Sequence, residues 1–256
     1  MYKFNAIKET QNVINWIKNW FDNESGNADG IIIGISGGAD SSVTAKLCCD
    51  AIGNNKIRGV LMPNNHQSDI SDSYKICDIL GIKYNEINIG DAFDGIINAM
   101  STSETLTKDA LINLAPRLRM AAIYALGHTL NYRVAGAGNY SEKYVGYCTK
   151  WGIDMAVDVS PIANFTKTEV KQIGDCLKLP RELVHKTPAD GLSGLSDEEN
   201  MQITYAVLDN YIRTGSYDES NKNKEEKEMI ERIVRKNKLA QHKINPVPCY
   251  VYKGTE

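Results

Sequence analysis

One glycine-rich run with a single carboxylate, Ser36-Gly37-Gly38-Ala39-Asp40-Ser41, carries the clearest chemical signal in the sequence. It follows the apolar run Ile31 to Ile35, which predicts a β-strand, and it precedes a helical pattern from Val43 to Cys49. Adjacent glycines let the backbone approach an anion closely, and the N–H groups at a helix N-terminus direct their positive ends toward it. The order strand, loop and helix therefore predicts a phosphate or pyrophosphate site. The alternative is a plain glycine-rich turn that Ser36 or Asp40 caps.

This loop lacks the lysine of the G-x-x-x-x-G-K-[ST] phosphate loop, so handling of a γ-phosphate is not indicated. The order Ser-Gly-Gly-x-Asp-Ser instead resembles the loop of the ATP pyrophosphatases. Those enzymes cleave ATP to AMP and pyrophosphate while they adenylate a substrate. The resemblance implies that the loop binds ATP.

A second glycine-rich segment, Gly136-Ala137-Gly138-Asn139-Tyr140-Ser141, follows a short strand pattern. Its third glycine is replaced by Ser141, so it is a weak dinucleotide fingerprint. The longer pattern Gly136-x-Gly-Asn-x-Ser-Glu142-x-x-x-Gly146-Tyr147-x-Thr149-Lys150-x-Gly152 is more specific and resembles ammonia-dependent NAD(+) synthetase. The resemblance covers nearly the whole chain, from the first helix to His242-Lys243. Supporting stretches are residues 113–120, 158–167 and 186–192.

The resemblance implies a magnesium site. In that family one aspartate of the phosphate loop and one glutamate of the later loop hold Mg²⁺ against the phosphates, which implies Asp40 and Glu142 as catalytic and metal-binding residues here. Two hard carboxylate oxygens leave most of the coordination shell to water and phosphate, as Mg²⁺ prefers. Taken without the motif, each is equally an acidic residue that the dipole favours in the first turn of a helix.

The resemblance also implies a site for ATP and one for nicotinic acid adenine dinucleotide, the substrate of the family. The implied ATP-binding residues are Gly34, Ile35, Ser36, Gly37, Gly38, Ala39, Asp40, Ser41, Ala137, Lys167 and Ala189. The implied substrate-binding residues are Arg117, Lys150, Asp158, His242 and Lys243. Taken singly, each charged residue is more often solvated than bound to a ligand. Together they supply basic partners for a dinucleotide pyrophosphate.

Two features depart from the family pattern. Ala137 stands where many members have threonine, and Ala189 stands where serine or threonine is expected. Two hydroxyl contacts with ATP are therefore missing, each worth about 0.5–1.5 kcal/mol. The stretch from Lys150 is also one residue longer than usual, which leaves Asp154 and Asp158 as rivals for one role. The spacing from Asp158 to Lys167, which matches a lysine of the family, favours Asp158.

The elements around these motifs alternate between strand and helix. The patterns predict strands over residues 31–35, 56–62, 83–88 and 132–136, and helices over 4–22, 69–80, 91–100, 111–131, 167–177, 197–213 and 225–238. Such alternation predicts an α/β fold, a doubly wound parallel sheet flanked by helices. The resemblance specifies a Rossmann-like fold of the adenine nucleotide alpha hydrolase type. Ligands bind at the carboxyl ends of the strands in such sheets.

Length and composition limit the remaining possibilities. The 256 residues, 42% hydrophobic, predict one α/β domain over 1–256 with an N-terminal helix and a C-terminal helical extension. The net charge of −3 does not indicate a nucleic-acid partner, and no apolar run predicts a membrane span. We therefore expect a cytoplasmic protein. The six cysteines form no C-x-x-C pair, so zinc spacing is absent.

The function that the resemblance implies is ATP-dependent amidation of the dinucleotide by ammonia through an adenylate. The products are NAD(+), AMP and pyrophosphate, Mg²⁺ is the metal, and a homodimer is expected. No cysteine has the setting of a glutaminase nucleophile, so free ammonia is the expected nitrogen source, although a separate amidase subunit stays open. The alternatives are another ATP pyrophosphatase with the same loop, or an ATP-binding module without turnover.

Overall fold

The structure is a computed structural model that describes residues 2–101, 103–188, 195–215 and 224–252. Its centre is a four-stranded sheet in the order β3-β2-β1-β4, formed by β1 (Gly30–Gly34), β2 (Ile57–Leu61), β3 (Lys83–Glu86) and β4 (Tyr132–Ala135). The helices are α1 (Ala6–Glu24), α2 (Ala39–Ile52), α3 (Ile70–Leu80), α4 (Gly90–Met100), α5 (Lys108–Leu130), α6 (Tyr140–Val145), α7 (Lys167–Cys176), α8 (Arg181–Val184), α9 (Asp197–Met201), α10 (Tyr205–Thr214) and α11 (Lys224–Ile244), with a 3₁₀ turn at Asn54–Lys56.

All strand pairs are parallel, and β1 lies inside the sheet. Ile31 lies opposite Ile57 of β2 on one side and Arg133 of β4 on the other. The isoleucines at 31–33 are fully buried, because helices cover both faces of this strand. A continuous β-branched run is therefore more suitable here than an alternating one. The edge strand β3, in contrast, is exposed along its length.

Different helices cover the two faces of the sheet. On one face α1, α2 and α7 pack together, with Ile17, Val43 and Ile173 in a shared core. On the other face Ile123 of α5 packs against Val134 of β4. This arrangement confirms the predicted doubly wound parallel sheet. Within the described residues, no helix is both long and apolar enough to span a membrane.

A third cluster lies beyond the carboxyl end of β4. It packs α6, α10 and α11 together through Val145, Leu208 and Ile233. Gly146 ends α6 with a positive φ of 69°, and a Cβ there would lie 2.5 Å from the Cβ of Ala240 on α11. Glycine is required at this position because α11 approaches so closely. The cluster thus fixes the short helix that carries Glu142.

The single helix predicted over residues 197–213 is wrong. Two helices, α9 and α10, occupy this segment, and Gln202 between them has a left-handed φ of 55°. Thr204 caps α10, since its side chain accepts a backbone hydrogen bond from the first turn. Apolar residues continue with helical spacing across the break, so the pattern gave no sign of it. The break brings Tyr205 within 3.3 Å of Asp197.

Candidate active site

The phosphate loop connects β1 to α2 at the carboxyl edge of the sheet. Gly37 has a φ of +78°, and a Cβ there would lie 2.6 Å from the Cβ of Asp72. Only glycine fits both the conformation and the space. Gly38 is the N-cap of α2 and makes no side-chain cap bond, while the Oγ of Ser36 accepts from the backbone N–H of Gly38 at 3.4 Å. The first N–H groups of α2 therefore remain available to an anion.

The loop is shaped by its own hydroxyl groups. The backbone N–H of Ser36 donates to the Oγ of Ser41 at 3.3 Å, and the two Oγ atoms lie 3.1 Å apart. The hydroxyl of Ser42 donates to the carbonyl of Gly38 at 2.7 Å. Ile35 extends the pairing of β1, because its N–H donates to the carbonyl of Val60. These bonds hold a compact turn directly before α2.

Three charged residues from distant parts of the chain meet beside this loop. The Nζ of Lys167 lies 2.5 Å from Asp40 Oδ2 and 2.8 Å from Glu142 Oε1. The lysine side chain is only 4% exposed, and each carboxylate side chain is 19% exposed. Asn139 joins the group, since its amide donates to Asp40 at 3.2 Å while its side-chain oxygen accepts from the backbone N–H of Glu142. The structure therefore brings together both residues that the sequence predicted as metal ligands.

Electrostatics in this group follow from burial and pairing. Burial raises the pKa of Asp40, and the charge of Glu142 adds to the effect although Lys167 opposes it. Burial also acts on Glu142, but the ammonium of Lys167 outweighs it and lowers the pKa of that carboxyl. Burial disfavours the ammonium itself, yet the two carboxylates outweigh it and raise the pKa of Lys167. When both carboxylates are ionised, the single ammonium between them leaves a net negative charge that a cation can neutralise.

Sequence reasoning missed two residues of this group, Tyr205 and Asp197. The hydroxyl of Tyr205 donates to Glu142 Oε1 at 2.9 Å, and that of Tyr147 donates to Asp197 Oδ1 at 3.2 Å. Burial and the charge of Glu142 raise the pKa of Asp197 to about 6. The sequence predicts one uninterrupted helix here, which would separate these two residues by about 12 Å along its axis. The sequence offered one signal, an acidic residue and a tyrosine within an amphipathic helical pattern.

The structure places the two rival aspartates differently. Asp154 lies near Glu142, where burial and the charges of Glu142 and Asp40 raise the pKa of its carboxyl to about 6. It lines a cavity of about 90 Å³ together with Glu142. The carboxylate of Asp158 accepts hydrogen bonds from the backbone N–H of Val134 at 2.8 Å and from the hydroxyl of Tyr124 at 3.3 Å. Asp154 therefore borders the charged group, whereas Asp158 borders α5, and the substrate role of Asp158 stays a prediction.

The predicted substrate-binding residues Arg117 and Lys150 lie together. Arg117 is exposed on α5, and its Nε donates to the backbone carbonyl of Lys150 at 3.2 Å. The ammonium of Lys150 lies 5.4 Å from the ring centroid of Trp151. Trp151 is half-exposed with a φ of 64°, a conformation that costs free energy for a bulky residue. This edge therefore presents two cations and one open aromatic ring.

His242 and Lys243, at the end of α11, have different surroundings. The ammonium of Lys243 donates to the carbonyl oxygens of Gly146 and Cys148 at 2.8 and 2.9 Å. Lys243 therefore ties α11 to the segment that leads to Lys150. His242 is exposed. Their binding to a dinucleotide stays a prediction.

The remaining predicted ATP contacts lie at strand ends. Gly34 ends β1, and a Cβ there would lie 2.8 Å from Ile153 Cδ1. Ala137 follows β4, and its backbone N–H donates to the carboxylate of Asp154. Ala189 lies outside the described residues. Gly34 and Ala137 therefore flank the site at the edge that the topology predicts.

The donor set of the charged group fits Mg²⁺. Asp40 and Glu142 supply hard oxygen ligands and share one ammonium, so their carboxylates are close together. Lys167 and Tyr205 both donate to Glu142 Oε1, and the side chain of Asn139 also hydrogen-bonds the carboxylate. The described residues contain no group of three or more His, Cys, Asp or Glu side chains placed to hold a metal. Mg²⁺ sites typically use one or two carboxylates and complete the coordination shell with phosphate and water, whereas a closed site takes all its ligands from the protein.

The family follows from the match to known proteins. The family model described as NAD synthase matches residues 9–247. The chain belongs to the NAD synthase family. It is 35% identical over 245 residues to an NH(3)-dependent NAD(+) synthetase of Carboxydothermus hydrogenoformans, covering 94% of this chain and 96% of that protein. It is 42% identical over 195 residues to an NH(3)-dependent NAD(+) synthetase of Methanocaldococcus jannaschii, covering 74% of each chain.

A solved structure extends the likeness to three dimensions. NMN synthetase from Francisella tularensis superposes with a TM-score of 0.85 at 28% sequence identity, covering 98% of this chain and 100% of that chain. The family membership confirms the resemblance that the motif around Glu142 indicated.

Proposed function

We propose that this protein is an ammonia-dependent NAD(+) synthetase, a ligase that amidates nicotinic acid adenine dinucleotide at the expense of ATP. The observation that carries the proposal is the convergence of Asp40, Glu142 and Lys167 at the uncapped N-terminus of α2, in a member of the NAD synthase family. The site has the charges that an ATP pyrophosphate and its cation need.

In the first step the pyridine carboxylate attacks the α-phosphorus of ATP, a P–O bond forms to the carboxylate, and the bond to pyrophosphate breaks. The N–H groups at the start of α2 bind the departing phosphates, and the ammonium of Lys167 neutralises part of their charge. Asp40 and Glu142 would hold Mg²⁺, and the bound ion would supply further positive charge. The chain positions the reactants and neutralises their charge, and it needs no covalent nucleophile.

In the second step ammonia attacks the carbonyl carbon of the adenylate, AMP leaves with its electron pair, and the nitrogen loses a proton. Arg117 and Lys150 are suited to holding the dinucleotide, because their cations lie on one open edge beside Trp151. Asp154 borders the same region from the Glu142 side.

Free ammonia is the proposed nitrogen source. Extracting ammonia from glutamine needs an activated thiolate, and Cys148 is the cysteine that lines the cavity beside Glu142. Burial raises the pKa of Cys148, and the charge of Lys243 only partly opposes this effect. A thiol kept protonated is a poor nucleophile.

A homodimer is proposed from the face of α5 that points away from the sheet. Only Ala115, Ile123 and Gly127 are buried among its 23 residues, although most of its residues are apolar. The neighbouring α4 buries only Gly90. The exposed residues of α5 include Ala121 and Ala125, whose small side chains allow another helix to approach closely, so this face is suited to a second copy of the chain. Arg117 lies on this helix, which places the proposed dinucleotide site near the interface.

Ala121 and Ala125 are exposed on α5 and allow a test of the dimer. We expect a dimer by light scattering at micromolar concentration and a monomer for Ala121→Arg. The matched control is Asn19→Arg on the exposed side of α1, which should stay dimeric. A wild-type monomer with full activity would contradict the dimer.

A second acceptor is favoured by one observation. The Francisella tularensis protein that superposes with a TM-score of 0.85 is an NMN synthetase, so nicotinic acid mononucleotide is a candidate substrate of the same site. The chemistry of the carboxylate is the same, and only the length of the acceptor differs. The ratio of kcat/KM for the dinucleotide and the mononucleotide distinguishes the two activities.

The decisive assay measures AMP and pyrophosphate after adding ATP, Mg²⁺ and each acceptor, with ammonium or glutamine as nitrogen source. We expect turnover with the dinucleotide and ammonium, and none with glutamine. Equal turnover with glutamine in a preparation free of other proteins would contradict the ammonia assignment. ATP cleavage that ignores both acceptors would indicate a different ATP pyrophosphatase, and no cleavage would indicate a binding module. The single domain and the cytoplasmic location stay predictions.

A further inference from the structure

The side chain of Tyr205 contacts three members of the charged group. It is the first residue of α10 and is 6% exposed. Its hydroxyl donates to Glu142 Oε1 at 2.9 Å and lies 3.3 Å from Asp197 Oδ2. The ammonium of Lys167 lies 5.3 Å from the centroid of its ring, within the range of a cation–π contact.

The backbone holds Tyr205 firmly in this position. Its N–H donates to Glu198 Oε1 at 2.7 Å, and Thr204 caps the helix that it begins. Leu208, one turn later, is fully buried in the third cluster. The side chain therefore has little freedom to leave Glu142.

The two carboxylate oxygens of Glu142 differ in their hydrogen-bond partners. Oε1 accepts hydrogen bonds from both Lys167 and Tyr205, at 2.8 and 2.9 Å. Within the described residues no donor lies at such a short distance from Oε2, and the side chain of Asn139 adds a further hydrogen bond to the carboxylate. Asn139 also holds the backbone N–H of Glu142. One oxygen is thus fixed by the protein and the other is left for a cation.

We propose that Tyr205 is a positioning residue whose hydroxyl fixes the carboxylate of Glu142 with Oε2 presented to the metal. The inference rests on the proposed function, which assigns Glu142 to Mg²⁺. It differs from a packing role, because phenylalanine at this position would keep the ring and lose only the hydroxyl. Without that hydrogen bond the carboxylate is held less firmly, so the metal must order it at the cost of affinity.

The test measures Mn²⁺ binding to the full chain in the presence of α,β-methylene-ATP, which cannot be cleaved between its α- and β-phosphates. Electron paramagnetic resonance reports the free Mn²⁺. We expect Tyr205→Phe to raise the Kd for Mn²⁺ about tenfold, since hydrogen bonds to charged groups are among the stronger ones. The matched control is Tyr211→Phe, on the same helix and packed against the same cluster, which should change the Kd less than about twofold.

A double-mutant cycle sharpens the result. In a Glu142→Gln background, Tyr205→Phe should no longer weaken Mn²⁺ binding, because the carboxylate on which it acts is gone. An unchanged Kd for Tyr205→Phe in the wild-type background, an equal change for Tyr211→Phe, or full additivity in the cycle would overturn the positioning role. Failure of the wild-type chain to bind Mn²⁺ at all would instead overturn the metal assignment in the proposed function. Near-UV circular dichroism confirms that each variant is folded.

Discussion

The two halves of the site are built in different ways. The phosphate loop lies within eight consecutive residues, 34–41, and its proposed anion contacts are the backbone N–H groups at one helix N-terminus. The charged group is assembled from side chains as far apart in sequence as Asp40 and Tyr205. The first half is specified by local sequence, whereas the second depends on the packing of α6, α7 and α10. Substitutions should therefore affect the two halves differently.

The largest effect is expected where the halves meet, at Asp40 and Glu142. Asp40→Asn or Glu142→Gln should lower kcat by about 10³-fold, because each removes a proposed ligand of the metal that stabilises the pyrophosphate. Folding should be retained, since neither side chain belongs to an apolar cluster. The matched control is Asp50→Asn on α2, whose partner is the surface residue Lys46. Near-normal kcat for both variants at saturating Mg²⁺ would refute the metal site.

The backbone half is tested at Gly37. Gly37→Ala should lower kcat/KM for ATP about 100-fold, because the new Cβ forces the loop away from Asp72 and displaces the N–H groups. The matched control is Gly215→Ala, which has a φ of 59° but no neighbouring atom within 4 Å. It should show the strain in its thermal stability and leave the kinetics unchanged. Equal kinetic effects of both variants would mean that the loop does not approach the phosphates.

Smaller effects are expected on the substrate side. Arg117→Ala and Lys150→Ala should each raise the KM for the dinucleotide about tenfold and leave the KM for ATP nearly unchanged. Lys243→Ala should in addition lower stability, since its ammonium holds the carbonyls of Gly146 and Cys148. Steady-state kinetics with each substrate varied separately checks this. Equal shifts in both KM values would place these residues on the wrong side of the site.

The smallest effect concerns stability and pH. The pKa of Asp197 is raised to about 6, so between pH 4 and 6 the folded state holds a proton that the unfolded state has lost. This residue therefore lowers stability as pH rises through that range, by an amount on the order of 2 kcal/mol at pH 8. Asp197→Asn should stabilise the protein at pH 8 relative to wild type and much less at pH 4.5. Urea unfolding at both pH values measures this, with exposed Asp22→Asn as control; an equal difference at both pH values would argue against the buried charge.

The sequence predicted the backbone half of the site far better than the side-chain half. Gly37 and its neighbours form a contiguous motif between a strand and a helix, so local rules apply to them directly. Tyr205 and Asp197 were missed, because a left-handed residue at Gln202 interrupts a helix whose apolar spacing continues unbroken. Asp154 and Asp158 remained rivals, because only the tertiary structure shows which one borders Glu142.

The most direct test of the proposed chemistry follows an oxygen atom. Nicotinic acid adenine dinucleotide labelled with ¹⁸O in its pyridine carboxylate is incubated with the protein, ATP, Mg²⁺ and ammonium, and the nucleotide products are analysed by mass spectrometry. Attack of the carboxylate on the α-phosphorus predicts one ¹⁸O atom in AMP and none in pyrophosphate. Release of ADP with ¹⁸O in inorganic phosphate would show attack at the γ-phosphorus and would contradict the assignment of the Gly37 loop to an ATP pyrophosphatase.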